Sequence, residues 1–154
     1  MCLVVVVRSR RPSSRVLCSL VSAALLTMGS ALYVCLRPED LLLFRWAQAV
    51  GVTEEVYSVR VAANWLAPLL PEWVIFSLPY ALWVSSYMLA VEVIWYRSPS
   101  TSKYVWLTAA PALALVSELA QAARLIPGTF DWVDVVFLAI TPIIGLILLN
   151  VSRD

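Results

Sequence analysis

Four long apolar runs, at residues 16–36, 73–96, 104–123 and 133–151, constrain this chain more than any other feature of its sequence. At about 1.5 Å per residue, each suffices to cross a hydrocarbon core of about 30 Å as a single helix. A soluble domain of 154 residues would need far more polar surface than this chain supplies, since 62% of it is hydrophobic and 14% charged. Lipid as the outer solvent resolves the imbalance. The expectation is an all-α polytopic membrane protein, a single domain of four transmembrane helices. An outer amphipathic helical segment, residues 37–72, would lie between the first and second of them.

Several function classes drop out on composition. No basic stripe with interleaved aromatics is present, which argues against a nucleic-acid partner. Cys2, Cys18 and Cys35 form no CxxC pair and the chain has no His. Neither a zinc constellation nor a triad built on imidazole can be assembled. The reading leans away from an enzyme, with no catalytic residue, no metal ligand and no cofactor expected.

The distribution of positive charge sets an orientation. Arg8, Arg10, Arg11 and Arg15 precede the first run, which is too long for a signal-peptide core and is followed by no A-x-A site; it reads as an uncleaved helix. With the N-terminus inside, Arg97, Lys103 and Arg153 also fall inside, against Arg37, Arg45, Arg60 and Arg124 outside, so both termini are expected in the cytoplasm. "RSPSTSK", residues 97–103, then becomes a tight inner turn that makes the second and third helices antiparallel neighbours. The outer segment holds two amphipathic stretches, the first starting at Pro38, Glu39 and Asp40 and the second ended by Pro68.

Polar residues inside the apolar runs carry the functional question. Pro79, Pro111 and Pro142 each free a backbone carbonyl, either for shape alone or to open a polar cavity. Glu92 lies near the inner end of the second helix, within reach of Arg97 or Lys103. Glu118 is harder to accommodate, because an unpaired carboxylate at that depth costs roughly 2.5 kcal/mol or more. Gln121 shares its helical face, and Arg124 follows near the outer end. The turn "IPGTFD" leads to Asp131 and Asp134, where the positive end of the fourth helix stabilises acids. Glu118, Gln121, Arg124, Asp131 and Asp134 should converge just below the outer surface, with Glu72 near them. They form either an ion-pair network that locks the hairpin, with Asp131 or Asp134 as a helix cap, or a binding site for a headgroup, a cation or a partner's polar residue.

The last two helices resemble the VanZ-like family of small bacterial membrane proteins. The likeness rests on Glu118, Gln121 and Arg124, a short turn, then Asp131 or Asp134, with Gly145 in the final helix. It covers roughly residues 110–150. The chain departs from the family pattern in having no His and in placing Leu138 or Thr141 where an Asn is expected. The resemblance implies the bacterial inner membrane and the cell envelope, with no defined reaction. Two alternative functions are expected, the first before the second. One is non-enzymatic recognition of a lipid-linked or polar envelope component, with membrane lipids as partners. The other is a structural or sensing subunit, in a homo-oligomer or with a membrane protein partner, serving stress response or phage defence. The small residues Ser22, Ala23, Ser30 and Ala31 in the first run suit the close helix contacts of the second. A proton path through Glu92 and Glu118 is the weakest expectation, because the two acids should lie at opposite depths.

Overall fold

The protein is described by a computed structural model covering residues 13–151 apart from 40, 97, 99, 127 and 129, with side chains described for residues 15–144 of that range. Arg8, Arg10, Arg11, Asp40, Arg97, Pro127 and Arg153 thus lie outside the described residues, as do the surroundings of Gly145.

Every regular element among the described residues is helical. In chain order they are α1 (Ser13–Leu36), α2 (Leu42–Val50), α3 (Thr53–Ala63), a 3-10 helix (Asn64–Leu69), α4 (Glu72–Phe76), α5 (Leu78–Ile94), α6 (Thr101–Ala122) and α7 (Trp132–Val151). Helix α5 is the hub, packing against α1, α6 and α7, while α6 and α7 pack on each other. Val84, Met88 and Val91 of α5 meet Leu107 of α6 and Leu138 of α7 in the buried core.

The α1–α5 contact is close because small residues line it. The Ser22 hydroxyl donates to the Ser86 carbonyl at 2.8 Å, and the Ser86 hydroxyl donates back to the Ser22 carbonyl at 2.8 Å. A methyl group at Gly29 would stand 2.9 Å from the Trp83 ring, and the Trp83 indole N–H reaches the Ser30 hydroxyl at 3.3 Å. Ser22 and Ser30 are thus used within the chain, whereas Ala23 and Ala31 stay exposed.

Outside this core the helices present apolar side chains outward. Leu17 and Leu20 of α1 are 61% and 62% exposed, and Leu113 of α6 is 71% exposed. Two helices, Arg15–Leu36 and Thr101–Ala122, are long and apolar enough to cross a membrane, while Leu78–Ile94 and Trp132–Ile144 are shorter apolar helices. For the run at 73–96 the reason is local. Pro79 has no N–H to offer the carbonyl four residues back, so the helix breaks at Ser77 and restarts as α5 with Pro79 in its first turn. Pro111 and Pro142, in contrast, sit inside helices that continue past them.

The segment between α1 and α4 is helical, as its amphipathic pattern suggests, but its boundaries shift. Helix α2 begins at Leu42 rather than at Pro38, and Glu39 instead pairs with Arg60 of α3 at 3.3 Å. Helix α3 gives way at Asn64 to the 3-10 helix that contains Pro68, where the missing N–H rules out regular α pairing. Glu54 and Glu55 in its first turn and Arg60 in its last complement its dipole. Arg60 also reaches α1, donating to the carbonyls of Val34 and Arg37, the latter at 2.8 Å. One arginine thereby ties the α2–α3 segment to the C-terminal end of α1.

Candidate functional site

The break at Ser77 exposes backbone where four helices meet. Arg37, just past the end of α1, donates from Nη2 to the Phe76 carbonyl at 2.8 Å. Its guanidinium lies 4.9 Å from the centre of the Phe76 ring and 5.4 Å from those of Tyr33 and Tyr80. Cation–π contact of this kind holds a positive charge in apolar surroundings without a carboxylate partner. Arg37 is in turn fixed through its own carbonyl, by the Arg60 bond already described.

Opposite Arg37 stand the acids. Glu118, one turn before the end of α6, and Asp134, in the first turn of α7, are each 6% exposed. Asp131 is partly exposed and accepts the Val133 N–H on Oδ1 at 2.8 Å, which makes it the N-cap of α7 and leaves Asp134 free of that role. The Asp131 backbone N–H faces the Glu118 carboxylate, and the charges of Asp134, Asp131 and Arg37 all act on Glu118. Asp134 in its turn feels Asp131 and Arg37 and lies beside the Ser77 hydroxyl.

Three members of the cluster leave polar atoms buried and unsatisfied: Oε2 of Glu118, Oδ1 of Asp134 and Oγ of Ser77, the last in a residue with 0% exposure. Nε of Arg37 is a fourth. Each such atom is cut off from water; Ser77 and Asp134 are near enough to act on each other, but a buried oxygen without a well-formed bond costs about 1–3 kcal/mol. Asp131 is partly exposed, Glu118 and Asp134 are buried, and Ser77 is fully buried.

The expected convergence thus holds for Glu118, Asp131 and Asp134. Gln121 lies to one side, its amide packed on the backbone of Gly128, where an added Cβ would come within 2.5 Å of it. Arg124 is drawn elsewhere. The N–H of Leu125 bonds the Ala120 carbonyl at 2.8 Å and that of Arg124 bonds Gln121 at 2.9 Å, a Schellman turn with Arg124 in the left-handed position at φ 58°. This geometry turns the Arg124 side chain outward, where it is exposed and makes no ion pair among the described residues. Glu72 is exposed at the start of α4 and adds nothing to the buried group.

Arg37, Ser77 and Tyr80 are the members that sequence reasoning did not assign to the cluster. The only local signals were an arginine directly after the first apolar run and the Ser-x-Pro spacing at 77–79. Among the described residues, no three Cys, Asp or Glu are arranged to hold a metal ion. No protein-family model, curated protein or solved structure matches this chain. Its functional reading therefore rests on the chemistry of this junction.

The opposite end of the bundle is built differently. Nζ of Lys103 lies 2.6 Å from Oε2 of Glu92, with the side chains 1% and 9% exposed, and also approaches the Trp95 carbonyl at 3.4 Å. The pair joins the last turn of α5 to the first turn of α6. Lys103, one of the two partners expected for Glu92, pairs with it here, while Arg97 lies outside the described residues.

Proposed function

We propose that this is a four-span membrane protein, with both termini inside, that binds a polar lipid headgroup at the outer end of its bundle through Glu118, Asp134, Asp131 and Ser77. The observation that carries the reading is the set of buried, unsatisfied oxygens on Glu118, Asp134 and Ser77, gathered where four helices meet. A structural ion-pair network would have given these acids a cationic partner: at the other end Glu92 Oε2 has Lys103 Nζ at 2.6 Å, whereas Glu118 and Asp134 make no ion pair among the described residues.

The four spans follow if α4 and α5 cross together as one bent unit. Residues 72–94 would measure about 34 Å along the axis against about 25 Å for α5 alone. In that arrangement Trp73 and Trp132, both largely exposed, sit at the same outer interface. The α2–α3 segment then lies in the outer interface and steadies the site by holding the Arg37 backbone. The VanZ-like arrangement of Glu118 and the acids of α7 suits the same envelope setting.

Native mass spectrometry of the protein, extracted gently from its own membrane and compared with Glu118→Gln, tests the reading. A lipid-sized adduct on the wild type, missing from the variant, is expected. A chain free of such adducts, alone or in a protein complex, would replace this reading with that of a structural subunit.

A further inference from the structure

We infer that the headgroup taken by this site carries a primary ammonium, as in ethanolamine-type phospholipids. The inference rests on the headgroup reading and adds the ligand class. Formal charge gives the first reason. Glu118, Asp134 and Asp131 set three negative charges against Arg37, the one cation among the described residues whose charge acts on both buried carboxylates. The Arg37 guanidinium is engaged by aromatic faces and the Phe76 carbonyl, and it forms no ion pair with the acids among the described residues. An anionic ligand would add repulsion in a low-dielectric setting, whereas a cation relieves it.

Hydrogen-bond bookkeeping gives the second reason. The unsatisfied atoms Glu118 Oε2 and Asp134 Oδ1 are acceptors, and Ser77 Oγ can also accept. A primary ammonium offers three N–H donors, enough for one to each oxygen. A trimethylammonium carries the same charge with no donor, and a neutral polyol has donors without charge. Asp131, partly exposed beside the buried Glu118 and Asp134, would face the rest of the headgroup.

The test uses the full chain in detergent, supplied with vesicles of equal parts phosphatidylethanolamine, phosphatidylcholine and phosphatidylglycerol with matched acyl chains, and reads retained lipid by native mass spectrometry. Phosphatidylethanolamine should be retained about tenfold over phosphatidylcholine, the worth of one charge-assisted hydrogen bond, and Glu118→Gln and Asp134→Asn should each erase that preference. Ser77→Ala, which alters no charge, should weaken it about threefold and provides the readout if the carboxylate variants do not fold. Equal retention of phosphatidylethanolamine and phosphatidylcholine overturns the ammonium assignment. Preference for phosphatidylglycerol that Glu118→Gln abolishes overturns it too, while sparing the headgroup site. Absence of any selective lipid removes both readings. A final arm adds spermidine: bound spermidine with no retained lipid would assign the site to a soluble amine and overturn the lipid source.

Discussion

The two ends of the bundle handle charge beside hydrocarbon in opposite ways. Where α5 finishes and α6 begins, Glu92 and Lys103 form a buried ion pair at 2.6 Å. At the other end Glu118 and Asp134 share the field of one arginine that bonds elsewhere, and neither acid makes an ion pair among the described residues. A buried pair is expensive to break and adds little when intact, which suits a brace. An unsatisfied cluster weakens the fold until something binds to it, which suits a site. Neutralising charge should therefore have opposite consequences at the two ends.

The largest effect is expected at the closed end. Lys103→Met removes the buried ion-pair partner of Glu92 and should lower stability by about 3–5 kcal/mol, read from the thermal unfolding midpoint in detergent. The double variant Glu92→Gln/Lys103→Met should recover most of that loss. A single-variant loss within the roughly 1 kcal/mol of an exposed ion pair would erase the contrast between the ends.

Arg37→Gln comes next. It removes the stack on Tyr33, Phe76 and Tyr80 and the bond to the Phe76 carbonyl, and should cost about 2 kcal/mol in the same assay. Headgroup retention should fall with it. An undisturbed protein would mean that the aromatic faces alone hold the α1–α5 junction.

Glu118→Gln should act in the other direction. Replacing an unsatisfied buried carboxylate with a neutral amide should raise lipid-free stability by about 1 kcal/mol while abolishing headgroup retention. Loss of stability here would turn this end into a brace as well. The smallest change is Arg124→Gly. It relieves the left-handed backbone at the end of α6, and after glycine's extra chain entropy should leave a gain of about 0.5 kcal/mol, measured by chemical unfolding. Lipid retention should not respond.

Much of this contrast could be read from the chain itself. Glu118, Asp131 and Asp134 lie within one hairpin, so helical spacing and a short turn suffice to bring them together. Glu92 and Lys103 likewise flank one turn. Arg37 and Ser77 could not be placed that way, because their nearness to the acids depends on which helices pack on α5. Hydrophobic periodicity says that a helix buries a face without saying against what. The helix break was half legible: Pro79 announced a freed carbonyl, but the Arg37 bond to Phe76 shows what the break provides. Arg124 went astray for a backbone reason. Helical spacing aims residue 124 back at Glu118, yet the Schellman turn takes that residue out of the helix and points it at the surface. The break at Ser77 also explains why α5 alone is shorter than the apolar run that contains it.

The most direct single measurement is thermal unfolding of the wild type and Glu118→Gln, each with and without added phosphatidylethanolamine. A ligand that binds only the folded state raises the midpoint in proportion to its binding energy. The predicted result is that the lipid raises the wild-type midpoint and leaves the variant unchanged, and that the lipid-free variant unfolds no earlier than the wild type. A variant that unfolds earlier, with the same lipid-induced shift as the wild type, would contradict the assignment of this end as a site.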